Sequence, residues 1–342
     1  MSPIQQLLCR HGPIVQPNGP IHRLERTGGL SGAELWSYPS RSGRLVIRGW
    51  PPGVSAPRVQ TIHHWLNRLR PLPFLAQPIP GRDGATVHID RSGRCWELAP
   101  WLAGRPSLQP TPSTGQVVSA LDAVGKVHEG LMELGSLRPS PGLQARVDFL
   151  QSLTARECRD YDAALSLLPR EDDRSGFQAL ARAWIQRASP RIALALASLR
   201  HHTHRSVWTQ PCLRDLRPEH LLFEGERLTG LVDYGAMDQE APEADLARLL
   251  PAWIGDHPAI QREARLAYQS SNPGHVLDEA LMAAFAQANS VLIGAHWLRW
   301  ILLERRRFDD PAAPVVGLRL SLRLMEEETP DLPERPLFRR PD

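Results

Sequence analysis

Two short apolar segments, each beside an aspartate, restrict the possible folds of this chain more than any other part of the sequence. Residues 212–223 read Cys-Leu-Arg-Asp-Leu-Arg-Pro-Glu-His-Leu-Leu-Phe, and residues 228–235 read Leu-Thr-Gly-Leu-Val-Asp-Tyr-Gly. The polar segment 224–227 between them contains a glycine and favours a tight turn between two antiparallel strands. Such a hairpin brings Asp215 and Asp233 to the same end of a two-stranded ribbon, although 18 residues separate them in the sequence.

A pair of carboxylates at one end of a ribbon suits the transfer of a phosphoryl group. Asp215 can orient an attacking hydroxyl and accept its proton, while Asp233 can hold the magnesium ion that bridges the phosphates. Asp-Tyr-Gly on its own is ordinary turn chemistry, which leaves a structural role as the alternative. The catalytic interpretation gains from the Leu-Leu-Phe strand, the separation of the aspartates and the sequence Ala-Asp-Leu-Ala at 244–247.

The whole pattern resembles the aminoglycoside phosphotransferase and choline kinase branch of the protein-kinase-like fold. The catalytic stretch of that family runs approximately His-Gly-Asp-Leu-His-x-x-Asn-Leu-Leu-Phe, followed by a strand that ends in Asp-Phe/Tyr-Gly. The resemblance implies an α+β, bilobal protein-kinase-like fold. It also implies an ATP-dependent phosphotransferase that uses Mg²⁺ or Mn²⁺ and acts on a hydroxyl of a small molecule. Asp215 is then the catalytic base, and Asp245 and Arg248 are expected to support its loop.

The order of the predicted elements agrees with two lobes. Residues 1–98 are predicted to form an N-lobe with an antiparallel sheet and one helix, the helix over residues 57–69. The Pro- and Gly-bearing segment 99–107 is the predicted hinge connector. A mostly helical C-lobe, with the catalytic β-hairpin, is predicted over 108–328, and a proline-rich tail over 329–342. The predicted strands of the N-lobe are 21–26, 34–38, 44–48, 86–90 and 94–98. Thr114 or Ser113 can cap the first predicted helix of the C-lobe, whose apolar positions recur at helical spacing: Val117, Leu121, Val124, Val127 and Leu131. Further helices are predicted over 145–167, 175–199, from about 243, over 258–271 and over 278–308.

The resemblance assigns the phosphate contacts to two segments of the N-lobe. Gly29, Ser31 and Gly32 lie in a turn between two strands and can cover phosphates with backbone N–H groups and a hydroxyl. Arg48 ends a strand where the family presents a basic residue to the α- and β-phosphates. Lys126 is the only lysine of the chain, so arginine must take this role. The alternatives are an ordinary hairpin turn and a solvated arginine.

The resemblance also implies an adenine-binding hinge at residues 96–100. The carbonyl of Glu97 would accept a hydrogen bond from the adenine amine, and the N–H of Ala99 would donate to the ring. Pro100 has no N–H group, which is consistent with Ala99 as the donor.

Two departures from the family leave open whether the chain is active. The predicted helix 57–69 has no acidic residue, so the usual ion pair between a lysine and a helix glutamate has no counterpart there; Glu25 and Glu34 are the nearest acids. His220 stands where the family has a metal-binding asparagine. Imidazole is a poor ligand of Mg²⁺, although Mn²⁺ tolerates nitrogen. His220 therefore either binds the metal beside Asp233 or only forms a hydrogen bond near the carboxylates.

Composition narrows the class of protein further. The net charge of +3 over 342 residues gives no indication of a nucleic-acid partner. The four cysteines lack paired or metal-binding spacing, which favours free thiols in the cytoplasm, and the first residues lack the pattern of a signal peptide. Polar residues interrupt the apolar segment 280–303, which is therefore predicted to be a core helix and not a membrane span.

Three functions remain open from the sequence. The first is a small-molecule kinase; because the C-lobe is not notably acidic, we do not expect a polycationic aminoglycoside as the acceptor, and a sugar, amino alcohol or nucleoside is as plausible. The second is a kinase-like protein that binds nucleotide without catalysis, which His220 and the missing lysine favour. A protein kinase is disfavoured, because Ala-Pro-Glu at 241–243 follows Gly235 too closely to close an activation segment.

Overall fold

The structure, a computed structural model, describes residues 1–24, 32–107, 112–168, 176–308 and 310–327. Within these ranges the chain forms one antiparallel sheet of five strands, two small sheets of three strands and ten α-helices. The five-stranded sheet comes first in the sequence, and the helices dominate after residue 112.

The first hundred residues form the five-stranded sheet and two helices. The elements are α1 (Pro3–Cys9), β1 (His22–Arg23), β2 (Glu34–Ser40), β3 (Gly43–Gly49), α2 (Ala56–Arg68), β4 (His88–Ile89) and β5 (Cys95–Pro100). The strand order is β1-β2-β3-β5-β4. The predicted antiparallel sheet, with a helix between its third and fourth strands, is confirmed. Strands β1 and β4 are shorter than predicted, and the sheet is not a simple meander, because β5 and not β4 lies beside β3. Helix α1 was not predicted; it begins with a capping box between Ser2 and Gln5.

The remainder of the described chain is mostly helical. Its elements are β6 (Arg105–Pro106), α3 (Thr114–Leu131), β7 (Ser136–Arg138), α4 (Pro141–Ser152), α5 (Cys158–Ser166), α6 (Phe177–Thr203), β8 (Val207–Cys212), β9 (Leu221–Glu224), β10 (Arg227–Leu231), β11 (Asp238–Glu240), α7 (Glu243–Ile254), α8 (Pro258–Ser271), α9 (Glu279–Leu298) and α10 (Ala313–Glu327). The small sheets have the orders β10-β9-β6 and β11-β8-β7. A π-helical turn at Leu153–Glu157 divides the helix predicted over 145–167.

Helix α3 lies at the centre of the main hydrophobic core. Ser113 is its N-cap, and its side chain accepts a hydrogen bond from the N–H of Gln116. The apolar positions predicted to face the core are all fully buried: Val117, Leu121, Val124, Val127 and Leu131. Helix α9 is also largely buried, as predicted for a core helix. Within the described ranges, no helix is both long and apolar enough to cross a membrane.

The predicted hairpin is confirmed as β9 and β10. The two strands pair antiparallel, with Leu221 opposite Leu231, and the register shifts once along the ribbon. The hairpin also contacts the segment that follows α2, because the N–H of Leu231 donates to the carbonyl of Phe74 over 2.8 Å. The end of the hairpin that carries the two aspartates is therefore connected to the part of the chain that builds the five-stranded sheet.

Candidate active site

The loop that carries Asp215 is fixed by a buried carboxylate. Asp245, near the start of α7, accepts hydrogen bonds from the N–H groups of Leu213 at 2.8 Å and Arg214 at 2.6 Å. Arg214 has φ of 65°, a left-handed conformation that costs an L-residue about 1–2 kcal/mol. Glycine occupies this position in the family pattern, so here the hydrogen bonds to Asp245 hold a conformation that arginine does not favour.

Asp245 is itself held by a buried histidine. The Nε2 atom of His128 lies 3.0 Å from Oδ2 of Asp245, and Nδ1 of His128 lies 2.9 Å from the hydroxyl oxygen of Tyr268. All three side chains are fully buried. Asp245 therefore has the supporting position that the sequence predicts for it, away from solvent and behind the loop of Asp215.

The carboxylate of Asp215 lies between two arginines. Its Oδ2 atom is 3.3 Å from Nε of Arg217, and its Oδ1 atom is 3.3 Å from Nη2 of Arg248. The side chain of Asp215 is 36% exposed, so a ligand can reach it. Sequence reasoning missed Arg217 altogether, although a basic residue two positions after a candidate catalytic aspartate was a visible signal.

Both ring nitrogens of His220 have partners. Nδ1 lies 2.9 Å from the backbone carbonyl of Asp215, and Nε2 lies 2.9 Å from Nη2 of Arg217. Burial and the positive charge of Arg217 lower the pKa of His220, which favours a neutral ring that donates from Nδ1 and accepts at Nε2. Oδ2 of Asp233 is 3.7 Å from Nε2. Both ring nitrogens thus have the hydrogen-bond partners that the hydrogen-bonding alternative for His220 requires.

Asp233 follows β10 in a left-handed conformation, with φ of 65°. Its Oδ1 atom accepts a hydrogen bond from Nη2 of Arg48 at 3.0 Å. Burial opposes ionisation, but the charge and hydrogen bond of Arg48 hold the pKa of Asp233 below its usual range. A β-carbon at Gly235 would lie 3.0 Å from Nη2 of Arg48, so the glycine leaves space for this ion pair. This ion pair therefore connects the end of β3, where Arg48 lies, to the residues that follow β10.

An acidic residue does lie near Arg48, but it comes from β5 and not from helix α2. Oε2 of Glu97 accepts hydrogen bonds from Nε1 of Trp50 and from Nε2 of His63, each at 2.6 Å. Burial opposes its ionisation, but His63 and Arg48 hold the pKa of Glu97 below its usual range. Helix α2 supplies His63 to this cluster. Glu34 instead pairs with an arginine at the start of β5, and residue 25 lies outside the described residues.

The register of β3 and β5 decides which backbone groups of the predicted hinge are available. The N–H of Trp50 donates to the carbonyl of Cys95 over 2.9 Å, and the N–H of Trp101 donates to the carbonyl of Arg44 over 3.0 Å. Hydrogen-bonded pairs alternate along an antiparallel ladder. Every second residue of β5 between these two bonds therefore uses its N–H and carbonyl groups within the sheet.

Glu97 and Ala99 are two of these residues, opposite Arg48 and Val46. Their backbone groups face β3, so the predicted hydrogen bonds from Glu97 and Ala99 to adenine do not fit the structure. The carbonyl of Pro100 lies at the next position of the alternation and points away from β3. The adenine contacts were predicted at the wrong residues because β5 continues beside β3 to Pro100, two residues beyond the predicted end of the strand.

The glycine-rich turn is described only at its last residue. Gly29 and Ser31 lie outside the described residues, so their contacts with phosphates stay predictions. Gly32 has φ of 77°, a conformation that glycine adopts without strain, and its carbonyl accepts a hydrogen bond from Arg94.

Several solved structures of phosphotransferases are similar to this chain in fold. A spectinomycin phosphotransferase in complex with ADP and spectinomycin matches with a TM-score of 0.64 at 11% identity, over 90% of this chain and 91% of that one. The amicoumacin kinase hAmiN, in complex with AMP-PNP, Ca²⁺ and Ami, matches with a TM-score of 0.61 at 12% identity, over 96% and 94%. An aminoglycoside phosphotransferase from Alicyclobacillus acidocaldarius matches with a TM-score of 0.60 at 13% identity, over 94% and 92%.

The chain has an α+β, kinase-like fold. It belongs to the phosphotransferase enzyme family, whose sequence profile matches residues 25–283. A search of curated proteins finds no match. The family resemblance stated from the sequence is confirmed.

Proposed function

We propose that the protein transfers the γ-phosphoryl group of ATP to a hydroxyl group of a small molecule, with Mg²⁺ or Mn²⁺ as the metal. Membership of the phosphotransferase family supports the class of reaction. The observation that carries the assignment to this site is the ion pair of 3.0 Å between Arg48 and Asp233. It brings the candidate phosphate-binding side chain of β3 to the hairpin end that also carries Asp215.

The nucleotide would bind between β3 and the hairpin. One buried guanidinium nitrogen, Nε of Arg48, lacks a hydrogen-bond partner among the described residues. Buried donors without partners are costly, and phosphate oxygens are suitable acceptors for arginine. For adenine, we propose that the carbonyl of Pro100 accepts from the amine and that the N–H of Leu102 donates to the ring. This assignment replaces the one at Glu97 and Ala99.

Asp233 would hold the metal. Its carboxylate is ionised at neutral pH, because its pKa is lowered, and carboxylate oxygen is a preferred ligand of Mg²⁺. When bound, the metal would neutralise charge on the phosphates. His220 would instead hold Arg217 and the backbone of Asp215 in place. Of the two side chains in the present ion pair, Asp233 would hold the metal and Arg48 would bind the phosphates.

Asp215 would orient the hydroxyl of the acceptor and accept its proton. Asp245 fixes the backbone of this loop through two hydrogen bonds. A fixed backbone suits a catalytic base, because a base acts only when it is held at the correct distance from the hydroxyl. Arg217, which contacts both Asp215 and His220, would stabilise the negative charge of the phosphoryl group during transfer.

The second candidate is a kinase-like protein that binds nucleotide without transferring phosphate. The engagement of both ring nitrogens of His220 favours it, because one side chain that the family uses for metal is then missing. Both candidates predict nucleotide binding, and they differ in turnover.

A variant of Asp215 distinguishes the two candidates. ADP release should be followed with ATP, Mg²⁺ or Mn²⁺ and a panel of small-molecule alcohols, which includes spectinomycin because a similar structure binds it. For the proposed enzyme, Asp215→Asn should lower turnover by about 10²-fold or more while ATP affinity is kept. Asp160→Asn, on the exposed face of α5, is the matched control and should retain activity. Full transfer by Asp215→Asn would overturn the assignment of the base. ATP binding without any transfer by the wild type would favour the second candidate.

A further inference from the structure

The two oxygens of the Asp215 carboxylate face arginines with different surroundings. Arg217 contacts Oδ2 and also His220, which lies 3.7 Å from Asp233, so Arg217 is on the side of the proposed metal and phosphates. Arg248 contacts Oδ1 and comes from α7. Its positive charge acts on His296 of α9, and it is itself affected by Arg146 of α4. Arg248 therefore approaches Asp215 from helix α7, at the carboxylate oxygen that Arg217 does not contact.

Two further arginines near Arg248 and His296 have ion pairs of their own. Nη1 of Arg146 lies 2.7 Å from Oε2 of the fully buried Glu240, and Arg299 forms an ion pair with Glu157. Among the described residues, the only ion pair of Arg248 is with Asp215. Asp215 is shared with Arg217, so two guanidinium groups face one carboxylate and one positive charge is in excess.

This excess charge lies in a partly buried place. The side chain of Arg248 is 25% exposed, and its contact with Asp215 is long, at 3.3 Å. Burial lowers the pKa of Arg248, with Arg217 and Arg146 acting in the same direction, but arginine stays protonated in proteins. Burial and the charges of Arg248 and Arg299 also lower the pKa of His296 to about 4, so its imidazole is neutral at pH 7. A partly buried cation without a full partner is costly, and an anion from a ligand would remove this cost.

We propose that Arg248 binds an anionic oxygen group of the acceptor, so that the substrate is a small hydroxy acid. The proposal rests on the proposed function and deepens it. The attacking hydroxyl must come within about 2.6–3.2 Å of an oxygen of Asp215. Charge-assisted hydrogen bonds to arginine are about 2.7–2.9 Å long. Since Arg248 already touches Asp215, both groups of the acceptor must lie close together, as in an acid whose hydroxyl is one or two carbons from a carboxylate or phosphate.

The same geometry disfavours a polycationic acceptor. Both acidic side chains of β11 already have arginine partners: Asp238 pairs with Arg214 at 3.6 Å, and Glu240 is buried in its pair with Arg146. An ammonium group placed beside Asp215 would meet two guanidinium groups. An anionic group placed beside Asp215 would instead be attracted by these two guanidinium groups.

The transfer is balanced without any further reactant. The hydroxyl oxygen of the acid forms a bond to the γ-phosphorus of ATP, and the bond between that phosphorus and the oxygen that bridges to the β-phosphate breaks. ADP leaves, and the proton of the hydroxyl passes to Asp215.

The experiment measures thermal unfolding of the full chain with saturating AMP-PNP and Mg²⁺. D-Glycerate and glycerol 3-phosphate are titrated against neutral glycerol, and gluconate against sorbitol, so that each acid has an uncharged counterpart. An acid that binds the native protein raises Tm with its concentration. At least one acid should stabilise the wild type while its neutral counterpart does not. The comparison of glycerate with glycerol 3-phosphate distinguishes a carboxylate from a phosphate.

Variants of Arg248 test its role. Arg248→Gln should weaken the apparent affinity for the acid by about tenfold or more, and Arg248→Lys should have an intermediate effect, because lysine keeps the charge but loses the bidentate fork. Arg156→Gln removes an exposed positive charge elsewhere and is the control. If a variant keeps the rise in Tm with AMP-PNP, its nucleotide site is folded. If Arg248 only orients Asp215, its replacement should not change the affinity for the acid.

Three outcomes would overturn the proposal. The first is that no acid stabilises the wild type more than its neutral counterpart, and the second is that Arg248→Gln binds the acid as well as the wild type does. The third is transfer of phosphate to a neutral or cationic acceptor alone, which would leave the proposed function intact and remove only the substrate class. Absence of any shift with AMP-PNP and Mg²⁺ would overturn both.

Discussion

Asp245 provides the sharpest test of how the loop of Asp215 is held. Its carboxylate accepts from three buried groups: the N–H of Leu213 and of Arg214 at 2.8 and 2.6 Å, and the ring of His128 at 3.0 Å. In Asp245→Asn, one oxygen is replaced by an NH₂ group, which cannot accept. At least one of these donors is then left facing another donor in a region from which water is excluded.

The cost of this change follows from the number of bonds affected. A hydrogen bond to a charged group contributes about 1.5–3 kcal/mol, and a buried donor without a partner costs about 1–3 kcal/mol. We therefore expect Asp245→Asn to lower the free energy of unfolding by about 3 kcal/mol. Asp160→Asn breaks an exposed pair with Arg156 and should cost no more than about 0.5 kcal/mol.

Urea unfolding followed by circular dichroism measures both variants. The midpoint should fall well below that of the wild type for Asp245→Asn and remain almost unchanged for Asp160→Asn. In a transfer assay with ATP, Asp245→Asn should also lower kcat, because Asp215 loses its fixed backbone. A loss of stability below about 1 kcal/mol for Asp245→Asn, or one equal to that of the control, would refute the argument that Asp245 is essential to the loop.

Two further substitutions test the cluster around Arg48 and the role of His220. Glu97→Gln should lower the free energy of unfolding at pH 7 by about 1.5–3 kcal/mol, because a charge that faces Arg48 is lost. The pKa of Glu97 is lowered in the folded protein, so its stabilisation is complete above the ordinary carboxyl range near ~4.3 and is lost as pH falls through the lowered value. The difference between wild type and Glu97→Gln should therefore shrink in acid, and a difference that grows would contradict this. His220→Asn should lower kcat/KM similarly with Mg²⁺ and with Mn²⁺, because the ring holds Arg217 and not the metal; a tenfold change in the ratio of the two metals would show that His220 is a ligand.

The sequence predicted those elements whose signal is local. The apolar stripe of α3 repeats at helical spacing, so its five core positions could be found without the structure, and its N-cap could be narrowed to Ser113 or Thr114. The hairpin β9–β10 was equally visible, because two apolar runs flank a turn that contains Gly225. Both predictions rest on periodicity and turn chemistry within one short segment.

The parts that sequence reasoning missed depend on how distant segments align. The adenine contacts were placed at Glu97 and Ala99, because nothing in residues 96–100 alone tells how far β5 continues beside β3. The acid beside Arg48 was sought in helix α2 and in Glu34, but the cross-strand partner of Arg48 is Glu97, 49 residues away. Arg248 was expected to support the loop of Asp215, but the sequence alone could not show that its guanidinium group contacts the carboxylate of Asp215, 33 residues earlier.

Calorimetry of ATP binding tests the central claim most directly, which is that Asp233 and Arg48 form a metal–phosphate site beside Asp215. Titrations of the wild type and of Asp233→Asn should be made with Mg²⁺, and again with the metal removed by EDTA. We expect the wild type to bind ATP at least about tenfold more tightly with Mg²⁺, a difference of about 1.4 kcal/mol, and Asp233→Asn to lose this difference. Equal affinity of the wild type with and without the metal, or an unchanged metal effect in Asp233→Asn, would contradict the account.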